Sequence, residues 1–393
     1  MKRLALFLDG TWNNVDDNTN VWRLRSLLAE QGADGVAQRA YYAAGVGTAR
    51  GEKFSGGTLG YGLSEEVIAA YRWLIENYDS GDEIFVFGFS RGAFTARSLT
   101  GLIATCGLLR PGAPVSVGQV YARYRRHKDA LPIYRIKYLR DHPDPQAPLG
   151  EDDLRLLQYS FRVPIRMIGV WDTVGALGVP FGRIRGLSRQ TFYFHSTNLS
   201  SIYENAFHAI AIDEHRHAFR ETLWTRFSKQ PPAAGAAAPA TPGQAVEQRW
   251  FVGAHSNVGG GIVGDLLAQV PLDWLRRKAE GLGLAFRFPV MLGGDEQLGP
   301  IADSFATFMA GLYRIVRLGI RYYRVIGGPV RTVKGGYSES INETIDGSVF
   351  DRWRRDAAYR PPSLRTWAAA KGVDPGGLTG TVCAGTGTPI AAG

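Results

Sequence analysis

The sequence predicts an α/β protein: a mostly parallel sheet covered by helices on both faces, with helical insertions. Three observations lead there. Apolar runs of strand type alternate with stretches of helical periodicity along the 393 residues. Runs such as "LALFL" (4–8) and "IFVF" (84–87) are apolar on both faces, as in strands buried on both sides. Four runs end directly in a polar residue, at Asp9, Ser90, Asp172 and His255. The carboxyl ends of strands are where open parallel sheets place their ligands.

Taken in order, Leu4–Leu8 form a strand and Asn20–Glu30 a helix. "RAYYAA" (39–44) is a second strand running into a glycine-rich loop over 45–62. Ser64, followed by Glu65 and Glu66, is placed to cap a helix reaching Tyr78. After the strand 84–88, Ala93, Ala96, Leu99, Leu102 and Ile103 recur at helical spacing. Residues 111–160, rich in Arg and Tyr, read as a helical insertion. "PIRMIGVWDTVGALG" (164–178) carries the next buried strand, and "NAFHAIAIDEHRHAF" (205–219) mixes helical and strand signals. The Ala/Pro/Gly stretch at 228–247 reads as a flexible loop. "QRWFVGAHSNVGGG" (248–261) is a strand ending at His255 and a glycine-rich turn, followed by a helix over 264–281. The main unit is expected over 1–290, with a helical extension packed on it over 291–371. The Gly/Thr/Ala-rich tail at 372–393 is expected to be poorly ordered.

Gly88-Phe89-Ser90-Arg91-Gly92 has the G-x-S-x-G pattern of a nucleophile elbow, between a strand and a helix as that turn requires. Gly88 and Gly92 let the two elements approach, and the amide of Arg91 would point at an oxyanion forming on a carbonyl. His255 is the candidate base and Asp172 the acid that would orient it, with Asp213 as the alternative acid. The order Ser90, Asp172, His255 is that of α/β-hydrolases. Asp9-Gly10-Thr11 occupies the loop that supplies the second oxyanion donor in that fold, from Gly10 or Thr11. Asp9 would hold this loop by bonding Thr11 or Asn14. "LDGT" also resembles the haloacid-dehalogenase phosphatase motif, which needs a nucleophilic Asp where Phe7 stands. His208, His215 and His217 lie close together, but no acidic or cysteine cluster joins them, so no metal is expected.

Composition bounds the rest. With 45% hydrophobic and 21% charged residues the chain has ample material for a large core. No apolar run reaches the ~18 residues of a membrane-spanning helix. The first residues, "MKRLALFLDG", read as a strand rather than a signal peptide. A cytoplasmic location, or bacterial export without a cleavable signal, is therefore expected. Cys106 and Cys383 are the only cysteines and provide no disulfide framework. A net charge of +9 favours anionic partners. With no zinc-finger spacing and no aromatic-basic RNA motif, nucleic acid is not among those expected.

Five blocks, "LFLDGTWNN", "FGFSRGAFTARSLTG", "IGVWDTVGALG", "HAIAIDEHRHAF" and "RWFVGAHSNVGGG", follow one another in order. They resemble the α/β-hydrolase family called domain of unknown function 2235. Its best-known members are the first class of type VI secretion lipase effectors, which are phospholipases. The resemblance runs from residue 3 to about 285, and "YRPPSL" (359–364) fits beyond it. It implies a Ser-Asp-His triad, carried onto Ser90, Asp172 and His255, and hydrolysis of ester bonds, often in phospholipids. Asn257 stands where the family usually has Asp, and Gln269 where an Asp-Ile pair is common.

The expected activity is that of a serine esterase or lipase, with phospholipase A as the narrower reading and no metal or organic cofactor. An esterase for soluble or polymeric esters and an inert binding protein are the alternatives. Residues 302–326 read as one helix, with Phe305, Phe308, Met309, Leu312, Val316, Ile320 and Tyr323 on one face. Arg314, Arg317, Arg321 and Arg324 form a stripe opposite. Such a helix either docks its apolar face in the core or lies at an anionic lipid surface. Oligomeric state has no signal in the sequence.

Overall fold

Every second residue of the first strand faces the same way, and that alternation builds two cores. In β1 (Arg3–Leu8), Leu4, Leu6 and Leu8 join one apolar cluster while Ala5 and Phe7 join another. In β3 (Glu83–Phe89), Ile84 and Val86 divide in the same way from Phe85, Phe87 and Phe89. A strand apolar on both sides has to be covered on both sides. The first face is covered by α2 (Gly56–Asn77), through Val67, Ala70, Tyr71 and Leu74. It is covered also by α3 (Arg91–Cys106), through Ala93, Ala96, Leu99, Leu102 and Ile103. The second face meets Val21 and Leu24 of α1 (Asn20–Leu27) and a helix at 269–281 through Leu272, Leu275 and Ala279.

The computed structural model describes residues 1–393 except 11, 12, 14, 46–55, 127–129, 147, 176–198, 231–242, 308–310, 329, 330, 334 and 391–393, and except the side chains of 56–61, 331 and 333. The central sheet is completed by β2 (Gln38–Ala43), β4 (Met167–Trp171), β5 (Asn205–Ala211), β6 (Ala245–Phe251), β7 (Glu343–Ile345) and β8 (Val382–Cys383). Their spatial order is β8-β7-β6-β5-β4-β3-β1-β2, all parallel except β8. With helices on both faces, this is an α/β-hydrolase-like fold. β2 and β3 flank β1 on opposite sides, so the chain reverses direction across the sheet there. A crevice opens at such a switch point, outside the carboxyl ends of β1 and β3.

The segment from 111 to 160 holds helices α4 (Val117–Arg125), α5 (Ile133–Asp141) and α6 (Glu151–Tyr159). Its two ends are stapled where Leu108–Leu109 pairs antiparallel with Ser160–Phe161. Ser64 does not open a helix, because α2 already begins at Gly56. The low-complexity residues 231–242 lie outside the described ones.

The C-terminal part differs from the expected appended extension and loose tail. β7 pairs parallel with β6, in the register Ile345 to Trp250, and β8 pairs with β7. A third apolar cluster joins Ile210, Trp250 and Val252 to Ile345, Phe350, Trp367 and Val382. The sheet and its core therefore cross position 290 without a boundary. The single helix expected over 302–326 is also absent. Among the described residues, two short helices stand there, Ser304–Thr307 and Leu312–Val316. Gly311 (φ +85°), Leu318 (φ +50°) and Gly319 (φ +74°) take left-handed conformations that break a helical path.

Candidate active site

β3 passes into α3 with no spacer, and Ser90 is the joint. Its backbone sits at φ 58° and ψ −119°, a strained conformation that costs about 1–3 kcal/mol and persists only where its surroundings enforce it. Glycines make the turn possible. A Cβ at Gly92 would fall 2.1 Å from the Leu8 carbonyl oxygen, and one at Gly88 2.5 Å from that of Gly92. The Ser90 amide donates to the Trp171 carbonyl at 3.1 Å, which ties the joint to the end of β4.

His255 follows β6 across a bend at Gly253 (φ +112°) and opens a five-residue helix, α7 (His255–Gly259), instead of the expected glycine-rich turn. Its imidazole is held between the rings of Phe89 and Phe219, with centroids 4.7 and 5.0 Å away. Nε2 lies 2.8 Å from Ser90 Oγ, and Nδ1 lies 2.6 Å from Asp172 Oδ2. An ionised carboxylate only accepts, so Nδ1 carries the proton and Nε2 is free to accept from the serine hydroxyl.

Asp172 follows β4 directly, with φ +37°, and is fully buried. Oδ1 accepts the Ala211 amide at 3.0 Å. Arg324 forks onto both carboxylate oxygens, at 2.5 and 3.0 Å, and is itself fully buried. Burial pushes the Asp172 carboxyl up. The charge of Arg324 and the hydrogen bond from His255 outweigh that effect and hold it well below the usual carboxylate range. His255 is pulled below its ordinary value by burial, with Asp172 offsetting only part of the shift.

The loop after β1 comes against the same point: a Cβ on Gly10 would stand 3.2 Å from Ser90 Cβ. Asp9 anchors it through partners the sequence did not single out, accepting from the Gly10 amide at 2.7 Å, Thr19 Oγ1 at 2.6 Å and Tyr42 Oη at 2.9 Å. Burial raises this carboxyl to about 6. The Gly10 amide is thus engaged by Asp9 rather than aimed at a ligand. Thr11 and Asn14 lie outside the described residues. Arg91 opens α3, where first-turn amides and the helix dipole favour negative charge.

The family model described as "T6SS, Phospholipase effector Tle1-like, catalytic domain" matches residues 2–278. The chain belongs to this family. It is also 27% identical over 241 residues to the uncharacterized protein YEL023C of Saccharomyces cerevisiae. That match covers 57% of this chain and 33% of the yeast protein, so the chain spans about a third of that relative's length. Among solved structures, an uncharacterized protein from Pseudomonas aeruginosa aligns with 16% identity over 80% of this chain and 50% of that one (TM-score 0.39). The Tle1 effector bound to the VgrG spike aligns with 17% identity over 66% and 51% (TM-score 0.30). Thermogutta terrifontis esterase 2 phosphorylated by paraoxon aligns with 13% identity over 72% and 84% (TM-score 0.35).

Of Asn257 and Gln269, the first holds the histidine loop and the second ties two helices together. Asn257 Oδ1 accepts the amides of Ala254 and Ala302 at 3.0 and 2.9 Å, and its Nδ2 donates to Asp265 Oδ2 at 3.0 Å. Gln269 accepts from the Arg23 guanidinium. Asp213, the alternative acid, is not brought to His255. It accepts the Gly253 amide at 2.8 Å and Tyr359 Oη at 3.2 Å. His208 is buried in β5 and accepts the Thr173 amide at 3.1 Å.

The arginine stripe does not survive as one face. Arg314 and Arg317 are exposed, and Arg321 pairs with Asp303 at 2.7 Å. Arg324 points inward to Asp172, which removes it from any lipid-facing surface. Arg324 is the site residue that sequence reasoning misplaced. The glycines at 311 and 319, inside an otherwise helical pattern, were the signal against a continuous helix.

Proposed function

We propose that this chain is a serine hydrolase of carboxylic esters in lipids, with Ser90 as nucleophile, His255 as general base and acid, and Asp172 as the acid that orients His255. The observation that carries this reading is the unbroken line of hydrogen bonds from Ser90 Oγ through His255 to Asp172 at a strained strand-to-helix joint. Ser90 Oγ attacks the ester carbonyl while His255 Nε2 takes its proton. The oxyanion forms over the amino end of α3, where the Arg91 amide lies. His255 then protonates the leaving alcohol. Water, deprotonated by the same imidazole, hydrolyses the acyl-enzyme and frees Ser90.

Phospholipid, cleaved as by a phospholipase A, is the substrate class that the family and the surface support together. Leu312, Ile315, Val316, Leu318, Ile320 and Tyr323 are exposed large apolar residues within one segment that also carries the exposed Arg314 and Arg317. That mixture of apolar and basic groups suits an anionic lipid boundary. The same segment ends at Arg324, on the triad acid.

The test pairs Ser90→Ala with the wild type on p-nitrophenyl butyrate and on phosphatidylglycerol vesicles, with a fluorophosphonate probe to report the serine. The wild type should hydrolyse both substrates and label at Ser90, and the variant should do neither. Wild-type turnover retained in Ser90→Ala would sink the nucleophile assignment. Activity on the soluble ester with none on vesicles would leave an esterase without a membrane role.

A further inference from the structure

The carboxylate of Asp172 serves two donors. Oδ2 meets His255 Nδ1 at 2.6 Å, and Arg324 grips both oxygens with its two terminal nitrogens. The guanidinium is in turn fixed by the backbone. Nη1 donates to the Ala211 carbonyl at 2.9 Å and Nη2 to the Phe219 carbonyl at 2.6 Å. Its Nε faces Glu221, 3.7 Å away. A bidentate guanidinium–carboxylate fork fixes orientation as well as charge, which a lysine cannot reproduce.

We propose that Arg324 is a positioning residue of this hydrolase, clamping the Asp172 carboxylate in the rotamer that meets His255 Nδ1 and sharing its negative charge, so that His255 is a weaker proton acceptor than an unclamped Asp172 would make it. The inference rests on the reading of Ser90, His255 and Asp172 given above. In the resting site, carboxylate and guanidinium offset each other and the imidazole is neutral. When His255 takes the serine proton, the new imidazolium faces a carboxylate already half engaged. This keeps the imidazole available as a base to lower pH, at some cost in imidazolium stabilisation.

The other charges near the histidine come from its neighbouring loops. The Glu214 carboxylate accepts the His255 amide at 3.3 Å and is itself paired with Arg216 at 2.8 Å. Phe89 and Phe219 contribute no charge. On the far side of Asp172 stand Glu221 and the buried His208. Arg324 is the cation bonded directly to the triad acid, so its effect on His255 passes through Asp172.

The experiment compares full-length wild type, Arg324→Gln and Arg324→Lys in kcat/KM for p-nitrophenyl butyrate against pH, with melting temperatures and with Ser90→Ala as the inactive control. Arg324→Gln should move the acid limb upward by about one pH unit. It should also lower kcat on the order of 100-fold at unchanged KM. Arg324→Lys should keep the limb near its wild-type position, since the charge remains, and lose kcat because the fork is gone. A folded Arg324→Gln with an unmoved limb and wild-type kcat would overturn the inference. So would Arg324→Lys with wild-type kcat, a result that stands even if Arg324→Gln does not fold. A fall in melting temperature alone, with both kinetic readouts unchanged, would assign Arg324 to folding. Turnover retained in Ser90→Ala would instead remove the reading on which the inference rests.

Discussion

Gly259 lies directly against Phe89: a Cβ at position 259 would come within 1.9 Å of the phenyl ring. That ring is one of the two between which His255 sits. The distance from an added methyl group to the base is therefore a single side chain. Gly259→Ala is expected to displace Phe89, tilt the imidazole away from Ser90 and cost about 1–3 kcal/mol by overpacking. Ester turnover and the urea midpoint should fall together. The double variant Gly259→Ala/Phe89→Leu should recover part of both, since the smaller side chain vacates the overlap. Strict additivity of the two single variants would show that the contact carries no coupling.

Asp172→Asn separates the two roles of the carboxylate. An amide presents its NH2 group to Nδ1 as readily as its oxygen, so the tautomer that leaves Nε2 as acceptor is lost. Turnover should fall by about 10⁴-fold. The buried guanidinium of Arg324 would also lose its main counter-charge, which should destabilise the fold by about 3 kcal/mol. Steady-state kinetics and urea denaturation read the two effects independently. A variant that loses activity but keeps wild-type stability would mean that Glu221 alone suffices for Arg324.

Burial holds His255 below the ordinary histidine value. In the proposed mechanism the base is active when neutral, so the acid limb of kcat/KM for a soluble ester should be centred below the ordinary histidine value of about 6.5. The sign for stability follows. A depressed folded-state pKa contributes stability above the unfolded value, and this is lost as pH falls through the folded one. Between pH 7 and 5 the wild-type urea midpoint should decline more steeply than that of His255→Gln. An acid limb centred above pH 7, or equal slopes in the two proteins, would contradict this electrostatic account.

Arg314 and Arg317 are the two stripe arginines left exposed and without a carboxylate partner among the described ion pairs. Each basic group near an anionic surface contributes about 1 kcal/mol. Replacing both by glutamine should therefore weaken binding to phosphatidylglycerol vesicles roughly 30-fold. Co-sedimentation measures the loss, with turnover of p-nitrophenyl butyrate as the control for folding. Unchanged vesicle binding would remove this segment from the lipid contact.

The proposed triad was legible because each member stands just past a strand: β3 and β4 are apolar on both faces, whereas β6, with Glu247, Gln248 and Arg249, gives a weaker signal. Ser90, Asp172 and His255 were found by strand ends, and the sheet then brought those ends together. What lay out of reach were contacts made by the C-terminal part. Phe305, Leu312 and Tyr323 suggested one amphipathic helix, but the left-handed backbone of Gly311, Leu318 and Gly319 breaks the helical path. Beyond that break Arg324 is buried while Arg317 stays exposed. Periodicity assigns a face only while the helix continues, so it cannot place a residue beyond a left-handed break. β7 and β8 were missed for a related reason. Three and two residues long, they are too short to show a pattern of their own and depend on pairing with β6 and with each other.

The separation between Asp172 and Arg324 is also a separation in time. A ribosome adds residues one after another, and 152 positions lie between carboxylate and guanidinium. At roughly 5–20 residues per second, the acid waits on the order of ten seconds for its counter-ion. During that interval β7 and β8 have not been made either. A nascent chain, or one clipped before residue 324, holds Ser90, His255 and Asp172 but not the guanidinium that pairs with Asp172 in the folded protein. The proposed line from Ser90 through His255 to Asp172 is therefore without its guanidinium clamp until residue 324 has been added.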